Sequence, residues 1–102
     1  MHPEHQTNVI LTIDTEVWVD GWTDIDTRFS ESFDTYIHGK TRDGDYGVPF
    51  VLKVLNDHGL RAVFFVEPLF ALRAGLGPLE EIVGLIQDSG HDVELHLHTE
   101  WL

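Results

Sequence analysis

The chain has 102 residues, with six Lys and Arg against 18 Asp and Glu, a formal charge of −12. That length holds a single domain, and that charge excludes general binding to nucleic-acid phosphates. A 42% hydrophobic share with six Phe, three Trp and two Tyr excludes a disordered chain. The absence of cysteine excludes a disulfide scaffold, a thiolate metal site and a Cys nucleophile.

No apolar run reaches the roughly 20 residues that span a bilayer. Met1 to Gln6 has neither the basic region nor the apolar stretch of a signal peptide. The default expectation is therefore a cytoplasmic protein. Seven histidines among so many carboxylates make a metal site with oxygen and nitrogen donors the first chemistry to test.

Val9 to Ile13 is a short β-branched run that suits a buried strand. Residues 17–47 follow as a long acidic insert. Between residues 14 and 45 nine acids face only Arg28, Lys40 and Arg42. The insert reads as a mostly irregular loop, and loops of that length are usually functional or disordered. Pro49 then stands in the first turn of a helix whose apolar face is Phe50, Val51, Val54 and Leu55, with Gly59 as its cap.

Leu60 to Val66 predicts a second buried strand with Phe64 and Phe65 in the core. Pro68 to Arg73 suits a short helical turn before Gly75. Pro78 predicts the start of a third helix, with Leu79, Ile82, Val83, Leu85 and Ile86 on one face and Gly90 as its stop. His91 to His98 alternates, with Val93, Leu95 and Leu97 on one face and Glu94, His96 and His98 on the other.

Strands separated by helices predict an α/β fold with a parallel sheet. Such sheets are normally covered on both faces. Only three strands are legible, so the chain is expected to be the N-terminal part, residues 1–102, of one longer domain.

In parallel sheets, ligands bind beyond the carboxyl ends of the strands. The first strand ends in Asp14-Thr15-Glu16 and the third in His96-Leu97-His98-Thr99-Glu100. Alternation puts Asp14 with Glu16, and His96 with His98 and Glu100, so two carboxylates and two imidazoles are expected on one sheet edge. A divalent ion takes such donors, polarises a carbonyl and acidifies water, and a carboxylate left outside the ligand set accepts the proton.

The plainer readings are that an Asp at a strand end makes a turn and that His-x-His is exposed filler. His58 suits a helix C-terminus, His91 a strand start at the opposite end of the sheet, and His2 and His5 a tail. Trp18, Trp22 and Tyr36, with Trp101, are candidates to contact a sugar. Trp18, Trp22 and Tyr36 equally suit anchoring of the long loop.

These residues together resemble the first half of a polysaccharide deacetylase domain, of the NodB-homology or carbohydrate esterase family four type. Leu11 to Glu16 (LTIDTE) is similar to the family's first motif, a strand ending in T-F-D-D. Leu52 to Val66 (LKVLNDHGLRAVFFV) is similar to its helix-then-strand segment, and Gly90 to His96 (GHDVELH) to the lead into its second motif. The acidic insert, Tyr46 to Phe50 and the ending His96 to Trp101 resemble a WalW-type subgroup.

The resemblance implies a distorted, incomplete (β/α) barrel and the hydrolysis of an N-acetyl, or O-acetyl, group on a carbohydrate. It implies a divalent metal, Zn2+ first, with Co2+, Ni2+ and Fe2+ as alternatives. Asp14 would be the base that activates metal-bound water, and His96 a ligand. The family's metal-binding aspartate falls at Thr15, which leaves Glu16 as its substitute. The family's second histidine falls at Glu100, so the third ligand is His98 or Glu100.

Later motifs, with an orienting arginine and a general-acid histidine, lie beyond residue 102, and this chain alone is expected to have little activity. Two other readings remain at this stage. One is an amide or cyclic-imide hydrolase of a small metabolite on the same fold. The other is a catalytically inert binding module.

Overall fold

A computed structural model describes residues 6–19 and 24–102. In chain order its elements are β1 (Leu11–Thr15), α1 (Ile25–Phe33), a π-helical turn (Asp34–His38), β2 (Lys40–Thr41), β3 (Gly44–Asp45), α2 (Val48–Asp57), β4 (Ala62–Val66), α3 (Ala71–Ala74), α4 (Leu76–Asp88), β5 (Asp92–Leu95) and a 3-10 turn (Thr99–Trp101). The fold is mixed α/β, with a parallel sheet in the order β1-β4-β5. β4 is central, and α2 and α4 carry the two crossovers.

The register aligns Leu11, Ile13 and Thr15 with Ala62, Phe64 and Val66, and the last two with Val93 and Leu95. One sheet face therefore gathers the apolar side chains. Ala62, Phe64 and Val66 share a core with Leu52 and Leu55 of α2 and with Ile82 and Ile86 of α4. The alternate residues lie on the other face, where Thr12, Asp14 and Glu94 are exposed and Phe65 is half-buried. Phe65 is thus not a core residue as predicted, because the alternation of β4 turns it away from the helices.

Besides β4, which starts at Ala62 rather than Leu60, and α3, which spans Ala71–Ala74 rather than Pro68 to Arg73, three element boundaries differ from the sequence expectation. β1 starts two residues later, at Leu11, and Val9 and Ile10 are exposed. Its partner β4 begins at Ala62, opposite Leu11, which leaves the earlier residues nothing to pair with. α4 begins at Leu76, two residues before Pro78. A proline in the first turn removes an N–H that has no intrahelical partner anyway.

The third difference is that β5 ends at Leu95 rather than His98. The ladder closes with His96 N–H donated to the Val66 carbonyl at 3.1 Å. β4 itself stops at Val66, two residues before Pro68, which cannot donate. Leu95 and Leu97 are consequently exposed, and only Val93 of the predicted apolar face packs on the core.

The largest correction concerns the insert at 17–47, which over residues 24–47 is folded rather than irregular. Ile25, Phe29, Phe33 and Ile37 recur every four residues through α1 and the π turn, and all are buried. Phe29 stacks on Phe70 with ring centroids 5.5 Å apart. Val17 and Val19 enter the same core. Asp26, Thr27, Arg28, Ser30 and Glu31 make the exposed side of this helix polar, so composition masked a helical apolar stripe.

The β2-β3 hairpin closes on Gly39 and Gly47. Tyr46 N–H reaches the Gly39 carbonyl at 3.0 Å and Gly47 N–H the His38 carbonyl at 3.1 Å. Gly39 has φ +62°, and a Cβ there would stand 2.2 Å from Gly47 N. Only glycine permits that approach.

His91 is buried and structural, as expected. Its Nδ1 accepts the Ala62 N–H at 3.1 Å, and its Nε2 lies 2.8 Å from Asn56 Oδ1. It ties α2 to the starts of β4 and β5. The His58 ring lies 2.8 Å from the Val54 carbonyl in the last turn of α2.

Because Ile37 is 0% exposed, Ile37→Ala is expected to destabilise the protein by about 2–5 kcal/mol, the cost of a truncated core side chain. Urea unfolding measures it. A change below about 0.5 kcal/mol, as for a surface site, would return the insert to the status of a loop.

Candidate metal centre

The sheet register continues one residue past the strands. Thr15, Val66 and Leu95 are adjacent, and Glu67 N–H bonds the Thr15 carbonyl at 3.0 Å. Glu16, Glu67 and His96 therefore stand side by side at the carboxyl edge. Thr15 has the opposite parity. It is buried, with its hydroxyl donated to the Ile13 carbonyl at 3.3 Å, and it is not part of the donor group.

Glu16 Oε1 lies 2.6 Å from His96 Nε2 and 2.8 Å from His98 Nε2, and the two ring nitrogens are 3.1 Å apart. These three half-buried residues form a group able to hold a metal ion. Nitrogen and oxygen donors around a tetrahedral ion stand roughly 3.3 Å apart, so the observed triangle is close to ligand spacing. Both histidines offer the same nitrogen, and both Nε2 atoms face one oxygen.

The surroundings fix the donors. The Trp18 indole N–H donates to Glu16 Oε2 at 2.7 Å, which leaves Oε1 facing the histidines. The Trp18 ring also meets the His98 ring edge-on at 4.8 Å. Glu100 Oε2 lies 3.5 Å from His98 Nδ1, the nitrogen turned away from the triangle. Carboxylates in that position orient ligand histidines. Asp14 stands beside the group, with Oδ2 4.0 Å from His96 Nε2 and its side chain 65% exposed.

Asp14, Glu16 and Trp18 also line a cleft of about 510 Å3, whose other walls include Tyr36, Tyr46 and Val48. Tyr36 is thus an exposed cleft residue. Trp101 is not a surface aromatic as expected. It is 2% exposed, packed edge-on to Phe29 and Phe70 with centroids 6.4 and 6.3 Å away. The 3-10 turn at the chain's end folds it inward onto α1. Trp22, His2 and His5 lie outside the described residues.

Glu67 is a site-edge residue that sequence reasoning missed. Its carboxylate is fully buried and accepts N–H bonds from Leu69 (3.0 Å), His98 (3.3 Å) and Phe70 (3.4 Å). The signal was present: an acid immediately after the apolar run Ala62 to Val66, at the same edge as Glu16 and His96.

Burial pushes the Glu16 carboxyl up, but hydrogen bonds from His98, Trp18 and His96 outweigh it and hold the group below its ordinary value of 4.5. The hydrogen bond to Glu16 raises His98 above its ordinary 6.5 against the opposing effect of burial, and the negative charges of Glu16, Glu100 and Glu67 add to the rise.

No protein-family model, no curated protein and no solved structure matches this chain. Among the described residues no helix is long and apolar enough to cross a membrane.

The two shifts set a pH window. His98, raised, contributes stability that is complete below its ordinary 6.5 and lost as pH climbs through its folded value. Glu16, lowered, contributes stability present above its ordinary 4.5 and lost as pH falls through its folded value. In metal-free protein the Tm advantage of wild type over Glu16→Gln should therefore be largest between those two values and shrink on either side. Stabilisation by added Zn2+ should run the other way and grow as pH rises, because ligand histidines must be deprotonated. Thermal melts from pH 4 to 8 with and without zinc check both slopes.

Proposed function

We propose that the chain carries the metal-binding and base-bearing part of a hydrolase that removes N-acetyl groups from a carbohydrate, on a (β/α) barrel of the polysaccharide deacetylase type. The observation that carries this reading is the pairing of one donor triangle with one carboxylate outside it. Glu16, His96 and His98 converge within 3.1 Å of one another. Asp14 lies 4.0 Å from the nearest of those nitrogens and opens onto the cleft.

Two imidazole nitrogens and one carboxylate oxygen suit Zn2+. A divalent cation held there would supply a Lewis acid for the acetyl carbonyl and would make water far more acidic than it is in bulk. The protein's own groups divide the remaining work. Asp14 takes a proton from the attacking water, for which an exposed carboxylate within reach of the ligands is suited. Trp18 holds the far oxygen of Glu16 so that the near one stays aimed at the ligand triangle. Glu100 keeps the His98 ring turned by its Nδ1.

The water oxygen adds to the acetyl carbon, the carbon–nitrogen bond breaks to give acetate, and the proton that the water gave up goes to the departing sugar amine. Tyr36 and Tyr46 on the cleft wall offer apolar ring faces to a sugar.

Metal analysis of the full-length protein is expected to find one divalent ion per chain. Asp14→Asn should lower turnover of an N-acetylated oligosaccharide by about 10²–10⁴, the usual worth of a general base, with metal content unchanged. His96→Ala should lose the metal. If Asp14→Asn strips metal and turnover alike, Asp14 is a ligand and the base assignment fails.

A further inference from the structure

We propose that Glu67 is a positioning residue for the metal centre, holding the backbone of His98 so that its imidazole meets Glu16 and His96. It rests on the metal reading above, and its test separates the two.

The argument begins with burial. Glu67 is 0% exposed, in a row of strand ends whose neighbours are Glu16 and His96. A buried carboxylate is costly unless donors surround it. All three groups hydrogen-bonded to it are N–H donors, which suits an acceptor-only carboxylate. Leu69 and Phe70 belong to the turn leading into α3. A cap alone would need only those two.

The third bond crosses 31 residues of sequence to the His98 amide. It is made where the sheet stops holding the chain. β5 ends at Leu95, and the last ladder bond comes from His96 N–H. Two residues on, His98 N–H is taken by the Glu67 side chain in place of a neighbouring strand.

The His98 ring reaches the triangle from that anchor. Its Nε2 lies 2.8 Å from Glu16 Oε1, Trp18 bounds one side, and Glu100 faces Nδ1. Those contacts orient the ring about its own bonds. Two bonds among the described residues are made to the His98 backbone: Trp101 N–H reaches its carbonyl at 3.4 Å within the 3-10 turn, and the Glu67 bond holds its N–H from the neighbouring strand end. Ligand geometry is sensitive to such supports, and their loss typically weakens metal binding by about 10–100-fold.

The test is a double-mutant cycle on the full chain, titrating Zn2+ into metal-free protein by calorimetry and following Tm. Glu67→Gln is close to isosteric. It is expected to weaken zinc about 10-fold and to move the visible absorption of the Co2+-loaded form. In a His98→Ala background the same substitution should leave the residual affinity unchanged, since Glu67 acts through His98.

Equal loss in both backgrounds would make Glu67 a general fold residue and overturn the proposal. So would full zinc affinity in Glu67→Gln. A wild-type chain that binds no zinc would remove the metal centre itself, and this role with it. One measurement needs no variant. The His98 amide, donated to a buried carboxylate, should exchange slowly with solvent in the wild-type chain, and rapid exchange overturns the assignment even if Glu67→Gln fails to fold.

Discussion

The parallel register of β1, β4 and β5 decides where every group of the site stands. Thr15, Val66 and Leu95 are neighbours across the sheet. Ladder bonds from Glu67 and His96 carry that alignment one residue further. Glu16, Glu67 and His96 then have no choice but to share an edge. A slip of one residue in β1 would bring Thr15 to the edge and bury Glu16 among the helices, because strand side chains alternate. The apolar face of the same strands prevents that slip. Ile13, Phe64 and Val93 are aligned and pack on the core. Core packing and site geometry are thus one constraint seen from two faces of the sheet.

Around that edge the acids have separate tasks. Glu16 faces two imidazoles through one oxygen and an indole through the other. Asp14 stays exposed beside them. Glu100 meets the outward nitrogen of His98, and Glu67 is buried under its backbone. Position relative to the sheet separates these roles. Asp14 and Glu16 are two residues apart on one strand, yet only Glu16 reaches past the strand end. Glu100 lies in the middle of the 3-10 turn Thr99–Trp101, which carries its carboxylate around to the far side of the His98 ring.

Much of this was legible in the sequence. The β-branched and apolar runs located β1 and β4, and Pro49 and Gly59 bracketed α2. The alternation from His91 onward separated His96 and His98 from Val93. The site followed from one topological rule about carboxyl strand ends. The insert was misread because α1 and its π turn are polar outside and apolar inside. A net charge averages over both faces and hides Ile25, Phe29, Phe33 and Ile37. Glu67 escaped for a related reason. An acid after a strand looks like a solvated loop residue until the N–H groups of Leu69, Phe70 and His98 are seen to surround it.

Local patterning by itself determined that this chain forms a parallel α/β sheet and that carboxylates and imidazoles meet at one edge of it. Periodicity and chain order carry that information, since they fix which face a side chain occupies. Tertiary structure alone decided the fates of the aromatics and the support of the two histidines. Trp18 became a hydrogen-bond partner of Glu16, Trp101 became core, and Tyr36 became cleft wall. An aromatic ring with one polar atom suits all three environments equally well. What selects among them is the set of residues brought near it from distant parts of the chain, and the spacing of neighbours along a sequence does not encode that.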